Sequence, residues 1–509
     1  MFKEEWEMYD RNVEDKTVEA GSLRCTFVME PMILDFGEMG MPAEYVDLVM
    51  TLVRENVWFS QVSFWTGKLG TLYEDAYRSM LTFGNLMMTL FNTPRRPRQL
   101  ANATMFTSDG EAEKEFTPLQ LGTIHLSCDY ALSHRDFQSM CSAIVTNQTA
   151  KNVFVYLKIG STDDTTGAEQ WRWIAYAFFS KRARENSAFE RLAFTSINDM
   201  TVEDMEGFSA IVASEHPEED LCGTPRGLVE EREAKLIAGS EIHWDIDDQG
   251  EPRVGSSPIT PALPISSVRT FSDDGESQLV NVMIPGFGHC QVQRRDLVFA
   301  QTNLVRASSR GVTSLTLSFT SENEFGPDGL LPFLAAVGWP LKFLSLKESY
   351  LQLDDRMIFQ CCPNLDELAL CRYRLEARLN FRDYRGHHQQ LPELGCDWDE
   401  VLVLLTRLSD NSSPLAQCVR RLRLQLFSWT VDPESEANGP TSEDEINAIQ
   451  RMLEMNKSLE YLDIIAPAGH CANLTDFRTY HLKSIMRPLK LPTETKIAVL
   501  SVLKTGITK

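Results

Sequence analysis

The stretch Leu365-Asp-Glu-Leu368-Ala-Leu370 shows the pattern on which the fold prediction rests, with apolar anchors in the order Leu-x-x-Leu-x-Leu. Apolar residues that alternate with small or polar ones are typical of a short strand that buries one face. The same phrase recurs in the second half of the chain at 312–317, 341–346, 419–424 and 459–464. Such recurrence indicates a repeat architecture.

Looser copies of the phrase occur in the first half of the chain. They span Phe59–Phe64, Leu121–Leu126, Phe189–Phe194 and Leu279–Ile284, and a weaker one, with Asn152 at its first position, runs through Val155 and Leu157. We predict that each of these segments is a strand of the same array.

Helix-start signals follow many of these strands. Ser/Thr-x-x-Asp/Glu capping boxes, which satisfy the free N–H groups of a first helical turn, occur at Thr71/Glu74, Ser133/Asp136, Thr166/Glu169, Thr201/Asp204 and Ser442/Glu445. The segments after them carry apolar stripes at helical spacing, namely Phe137/Cys141/Ile144, Met205/Phe208/Ile211 and Ile446/Ile449/Leu453. The predicted unit is therefore a strand, a turn and an amphipathic helix.

A chain of such units resembles a leucine-rich repeat protein, closest to the long strand-plus-helix units of the ribonuclease-inhibitor-like class. The phrase Cys362-Pro-Asn-Leu-Asp-Glu-Leu-Ala-Leu also resembles the cysteine-containing repeats of F-box proteins. The resemblance implies an α/β fold: a leucine-rich-repeat solenoid, or horseshoe, with parallel strands on its concave face and helices outside. The family's Asn or Cys after the second strand Leu is replaced here, for example by Asp129 and Thr320.

The predicted organisation has three parts. Residues 1–55 form an N-terminal cap region, 56–489 an irregular solenoid, and 490–509 a C-terminal cap helix or tail. Unequal unit spacing places insertions in the solenoid at about 92–118, 215–278 and 375–397. The middle insertion is acidic and then rich in Pro and Ser, so we expect a mobile loop there, with a hairpin within Ile242–Val254.

Composition narrows the classes of function. The chain of 509 residues has a net charge of −23 and 43% hydrophobic residues. An excess of acid argues against a nucleic-acid partner, and no apolar run approaches the roughly 20 residues of a membrane span. The acidic N-terminus lacks a signal-peptide pattern, and the 11 cysteines are odd in number. We therefore expect a monomeric cytoplasmic protein without a disulfide framework.

The outward residues of the predicted strands give the candidate binding site. Side chains alternate between the two faces of a strand, so residues between the core anchors point to the concave face. Aromatic and Arg residues are common anchors of protein interfaces. The candidates at the two ends of the array are Trp65, Phe154 and Tyr156 in one group and Lys347, Arg421, Arg423 and Tyr461 in the other. The second group predicts a positive island for an acidic segment, unless Glu367 and Asp463 already neutralise its arginines.

Other chemical patterns are weak. Cys361, Cys362, Cys371, His387, His388 and Cys396 lack paired zinc knuckles, and Asp245–Gly250 fails the calcium-loop pattern at its fifth and twelfth positions. Gly286-Phe-Gly-His289 lacks the Lys-Ser/Thr of a phosphate-binding loop. We predict neither a metal nor a cofactor.

The function predicted from these observations is a non-catalytic protein-interaction scaffold or adaptor that binds through the concave face. One alternative is the substrate-recognition subunit of a ubiquitin ligase, which would need an F-box-like module before the first repeat. Residues 1–55 offer one apolar helical run for it, Tyr45–Val53. An enzyme whose site residues lie far apart in sequence is the other alternative.

Overall fold

The computed structural model describes most of the chain between residues 32 and 465. The described residues are 32–35, 59–65, 76–92, 121–128, 132–147, 150–157, 166–197, 200–246, 252–253, 256–299, 311–319, 328–347, 355–372, 375–387, 391, 394, 398, 400–425 and 442–465. The insertion predicted at about 92–118 lies outside them apart from Asn92, and so does the predicted tail at 490–509.

Eleven strands form the main sheet, in the spatial order β1-β2-β3-β4-β5-β12-β13-β14-β15-β16-β17. They are β1 (Met32–Asp35), β2 (Phe59–Trp65), β3 (Leu121–Cys128), β4 (Ala150–Leu157), β5 (Arg191–Ile197), β12 (Ser314–Phe319), β13 (Phe343–Lys347), β14 (Glu367–Cys371), β15 (Leu375–Asn380), β16 (Val419–Gln425) and β17 (Tyr461–Ile465).

The repeated phrases align across this sheet. Leu315 of β12 is the register partner of Leu344 in β13, which in turn pairs with Leu368 in β14. All three are buried, as are Leu422 and Leu424 of β16. The predicted core anchors are therefore confirmed for these strands, which lie parallel to their neighbours except where β15 intervenes.

Two features of the sheet differ from the prediction. β15 falls in the segment expected to be an insertion, yet it pairs antiparallel with both β14 and β16. Its apolar residues Leu375, Ala377 and Leu379 are buried, so it completes the core. β1 lies in the expected cap region and pairs parallel with β2, so the sheet begins before the first predicted repeat.

Six helices between residues 76 and 361 form a layer in which each helix contacts the next. α1 (Ala76–Asn92), α2 (His134–Ile144), α3 (Gly167–Ile174), α5 (Val202–Ala213), α7 (Leu330–Val337) and α8 (Asp355–Cys361) follow in this order. Their buried residues share one hydrophobic core with the strand anchors. The remaining α-helices of the described residues are α4 (Lys181–Asn186), α6 (Pro217–Cys222), α9 (Arg382–His387), α10 (Val401–Leu408), α11 (Pro414–Cys418) and α12 (Ser442–Met455). A π-helix at Ala175–Phe179 directly follows α3, and a 3-10 helix spans Arg294–Asp296.

Local sequence signals explain where several helices begin. Thr166 and Thr201 form the predicted capping boxes with Glu169 and Asp204. The hydroxyl of Ser133 accepts a hydrogen bond from the backbone N–H of Asp136. These caps satisfy donors that a first helical turn leaves free. The boxes predicted at Thr71 and Ser442 involve side chains outside the described residues.

Three strands of a second sheet lie in the segment 215–278, so the prediction of a mobile loop there is wrong, and three more strands follow between residues 279 and 299. Its six strands lie in the order β11-β6-β8-β9-β10-β7. They are β6 (Glu233–Leu236), β7 (Ile242–His243), β8 (Ile265–Thr270), β9 (Leu279–Ile284), β10 (Gly288–Gln293) and β11 (Leu297–Phe299). The phrase Leu279–Ile284 therefore belongs to this sheet, because β5 pairs directly with β12 in the main one.

The second sheet has its own core. Alternate residues Val280, Val282 and Ile284 of β9 are buried together with Val268 and Val292. These apolar side chains offset the cost of ordering an otherwise charged segment. The predicted hairpin is supported by an antiparallel bridge between Ile246 and Pro252, while residues 247–251 lie outside the described part.

The turn between β9 and β10 joins the second sheet to helices α1 and α2. The Ser142 hydroxyl on α2 accepts hydrogen bonds from the backbone N–H groups of Gly286 and Gly288, both at 3.1 Å. On α1, Gly84 meets the backbone of Gly286 so closely that neither position has room for a Cβ atom. Gly286-Phe-Gly-His289 thus serves as a docking turn.

A buried ion pair lies between α4 and α6. Arg182 donates to Glu218 at 2.7 Å, and the Tyr176 hydroxyl donates to the same carboxylate at 2.9 Å. Arg182 also donates to the carbonyl oxygen of Ser267 in β8 at 2.9 Å. This network joins the second sheet to α4 and α6, in addition to its contact with α1 and α2.

None of the described helices has the length and the apolar composition that crossing a membrane requires.

Candidate binding site

Two rows of side chains cross β12 to β17 on the sheet face opposite the core anchors. Cross-strand register partners point to the same face. The first row is Ser318, Lys347, Cys371, Glu376, Arg423 and Asp463. The second row is Thr316, Ser345, Ala369, Arg378, Arg421 and Tyr461. The two rows differ in how their charges are compensated.

In the first row, the positive charge of Arg423 is compensated by carboxylates of the same row. The Arg423 side chain donates from Nε to Asp463 at 2.8 Å and from Nη1 to Glu376 at 3.0 Å. Hydrogen bonding to Asp463, followed by the charges of Asp463 and Glu376, raises the pKa of Arg423. The expectation that Asp463 neutralises an arginine is confirmed at this position, so Arg423 acts mainly as a partner of two carboxylates.

The buried carboxylate of Asp463 depends on Arg423 for its hydrogen bonding. Its side chain is buried, with 8% of its surface exposed. One carboxylate oxygen, Oδ2, accepts from Arg423, whereas Oδ1 has no hydrogen-bond partner among the described residues. A buried carboxylate with a single partner is costly to leave unpaired.

The second row contains two arginines without a carboxylate. Arg378 of β15 and Arg421 of β16 are direct register partners, and both are exposed. In the described part of the chain, neither forms an ion pair, in contrast to Arg423 beside them. Like charges directly opposite each other destabilise a sheet. Two adjacent guanidinium groups without an ion pair among the described residues can hold an anion between them.

These arginines line a shallow pocket. Its volume is about 180 Å³, and its wall consists of Glu376, Arg378, Arg421, Leu422, Arg423 and Tyr461. Burial, and then the negative charge of Asp463, raises the pKa of the Tyr461 hydroxyl. This hydroxyl thus keeps its proton at neutral pH and can donate a hydrogen bond.

Three of the predicted site residues, Arg421, Arg423 and Tyr461, come together in this pocket. The predicted positive island also included Lys347, which the pocket wall does not include. Lys347 lies three strands from Arg423 in the first row, or about 14 Å at the usual strand spacing. Arg378, which the sequence prediction missed, takes its place. The sequence feature that could have revealed Arg378 is the alternation of apolar and polar residues in Leu375-Glu-Ala-Arg-Leu379, which is typical of a strand.

The other predicted group lies in β2 and β4. Phe154 is exposed, and its ring stacks on that of His125 with centroids 4.5 Å apart and an interplanar angle of 10°. These residues are register partners in β4 and β3. Trp65 and Tyr156 lie in β2 and β4, but their side chains fall outside the described residues. Their predicted role in binding stays a prediction.

Possible metal ligands are already occupied by arginines. His216, Glu219 and Glu231 have ligand atoms within 4.8 Å of one another. Arg226 contacts Glu219 at 2.8 Å, while Arg269 contacts Glu231 at 2.9 Å. Positive side chains on both carboxylates repel a cation, so this cluster is an ion-pair network.

The segments considered for zinc and calcium show ordinary structural roles where they are described. Cys362 is fully buried after α8, and burial raises the pKa of its thiol to about 12. Asp245 faces Arg253 at 3.5 Å. His388, Cys396 and residues 247–251 lie outside the described part.

In the part of the chain that the structure describes, the pocket around Arg378, Arg421 and Tyr461 is the one that brings predicted site residues together. Most of residues 1–55, where an F-box-like module was considered, lie outside the described part of the chain. Comparison with models of protein families, with curated proteins and with solved structures gave no match.

Proposed function

We propose that this protein is a non-catalytic, cytoplasmic interaction scaffold of leucine-rich-repeat type that binds an acidic segment of another protein. The observation that carries this proposal is the exposed Arg378–Arg421 pair, which lacks a carboxylate partner among the described residues and lines a pocket. Arginine presents a planar fork of donors that suits carboxylates and phosphates. Tyr461 adds apolar area with a polar tip, as is common at interfaces.

The arrangement of strands and helices supports the solenoid part of the proposal. Parallel strands from β2 to β5 and from β12 to β14 carry aligned anchors, and helices that contact one another in sequence share their core. A repeat array of this kind presents one sheet face for partners. We propose a horseshoe in which β15 and the second sheet are insertions.

Charge favours a peptide partner over a nucleic acid. Extended polyanions need several clustered cations, whereas this site offers two uncompensated arginines on a chain of net charge −23. A short acidic segment can reach the two arginines while the rest of its protein avoids the negative surface. Local charge complementarity of this kind gives specificity more than affinity.

Photo-crosslinking from the pocket tests the proposal. Tyr461 is replaced by benzoylphenylalanine in the full chain, which is irradiated in extracts of its native cells. We expect crosslinked peptides that contain clustered Asp or Glu, because the ring lies beside Arg378 and Arg421. Mass spectrometry identifies the partner and the attached segment.

The matched control carries benzoylphenylalanine at Trp339, which is 72% exposed and outside the pocket. Crosslinks common to both positions report random encounters. Peptides from position 461 that lack acidic residues, or RNA attached there, would contradict the proposal. A crosslink to a second copy of this chain would show self-association in place of a distinct partner.

A further inference from the structure

We propose that the acidic group held by the Arg378–Arg421 pocket is a phosphorylated serine or threonine side chain of the partner protein. This inference rests on the proposed function and specifies its ligand. Arg378 and Arg421 have no ion pair among the described residues, whereas Arg423 is paired with both Asp463 and Glu376, so these five charged side chains sum to +1. A carboxylate offers the two unpaired arginine forks two acceptor oxygens, whereas a phosphate monoester offers three.

A phosphate monoester suits two adjacent guanidinium groups. It carries a charge of about −1.5 to −2 at neutral pH and has three strong acceptor oxygens. Arg378 and Arg421 are register partners, so their Cβ atoms are roughly 5 Å apart. Two guanidinium forks that start this close can converge on one tetrahedral anion, and bidentate arginine–phosphate pairs are among the stronger hydrogen-bonded contacts.

The surroundings of the pair differ on its two sides. On one side, Tyr461 offers a protonated hydroxyl as an additional donor. On the other side, the same row continues through Ala369 and Ser345, which are both buried. The partner's phosphate is therefore expected to contact the arginines and Tyr461, and not β14 and β13.

The test measures fluorescence anisotropy of labelled peptide pools with the purified full chain. All pools have degenerate flanking residues and differ at one central position, which is phosphoserine, sulfoserine, glutamate or serine. Sulfoserine keeps the tetrahedral shape but has a single negative charge. We expect the phosphoserine pool to bind at least about tenfold more tightly than the sulfoserine and glutamate pools.

Variants assign the effect to the pocket. Arg378→Gln and Arg421→Gln should each remove most of the preference for phosphoserine. The control, Arg253→Gln with Arg295→Gln, removes two exposed charges outside the pocket, one more than either single variant, and should retain that preference. Thermal melting of each variant confirms that it is folded.

The outcomes separate this inference from the proposed function. Equal binding of the phosphoserine and glutamate pools would overturn the phosphate inference while supporting an acid-binding pocket. Absence of binding by both pools would overturn both proposals. Inorganic phosphate that competes as strongly as the phosphopeptide would show a site for a small anion and contradict a phosphoprotein partner.

Discussion

The backbones of Gly84 in α1 and Gly286 in the β9–β10 turn touch, and this contact leaves no room for a side chain at either position. Gly286 also has a φ of +81°, which L-residues rarely adopt. Gly239 has the same φ but has open space around its Cα. A comparison of substitutions at Gly286 and at Gly239 therefore separates the cost of crowding from the cost of the backbone conformation.

We predict that Gly286→Ala lowers the free energy of unfolding more than Gly239→Ala. The conformational cost, shared by both variants, is about 1–2 kcal/mol. Crowding against Gly84 should add about 1–3 kcal/mol at position 286. Urea denaturation of the two variants measures the difference. Equal losses would show that the second sheet does not dock on α1 in this way.

The second prediction concerns the buried pair of Arg182 and Glu218. Glu218→Gln should cost about 3–5 kcal/mol, because it leaves the Arg182 charge buried without a carboxylate. Neighbouring Lys181 and Glu215 form an ion pair on the surface, so Glu215→Gln should change the free energy of unfolding little. Denaturant unfolding of both variants tests this contrast. Similar small losses would refute a structural role for the buried pair.

The third prediction separates two arginines of one strand. Arg423→Gln should lower the melting temperature, since it removes the ionic partner of buried Asp463. Arg421→Gln should leave the melting temperature unchanged or raise it, because it relieves repulsion from Arg378. Differential scanning calorimetry compares the variants. A larger loss for Arg421→Gln would mean that Arg421 stabilises the sheet and is not held ready for a ligand.

The fourth prediction concerns the order of the second sheet. Amides of β8 and β9 should exchange with deuterium as slowly as those of β13 and β14, because both sets are hydrogen-bonded in sheets over buried cores. Hydrogen-exchange mass spectrometry of the full chain measures both. Complete exchange of 265–278 within seconds would support the mobile loop that the sequence predicts there.

The repeated phrases predicted the strands of the main sheet well because the buried face of each strand follows from the spacing of its apolar residues. Leu344, Leu368 and Leu422 lie where the pattern placed them. The same alternation also occurs in any half-buried strand, so Leu279–Ile284 was assigned to the wrong sheet. Periodicity along the chain shows which face of a strand is buried, and strand pairing depends on contacts between distant segments.

The prediction of the binding pocket was incomplete for a related reason. Arg421 and Arg423 lie in a repeat phrase, and Tyr461 begins the strand beside them. Arg378 lies in an antiparallel strand that no repeat phrase marks, so its place opposite Arg421 could not be predicted. Charge content misled the interpretation of 215–278, where a few apolar residues such as Val268 are enough to form a core.

Equilibrium binding of a short fluorescent glutamate peptide at low salt tests the central claim most directly. The account predicts binding by the wild-type chain that weakens at least about tenfold, or about 1.4 kcal/mol, when Arg378 and Arg421 are both replaced by Gln. The Arg253→Gln/Arg295→Gln variant, with the same change in net charge, should bind like the wild type. Equal affinity of the wild-type chain and the Arg378→Gln/Arg421→Gln variant would contradict the claim that this pocket recognises acidic segments.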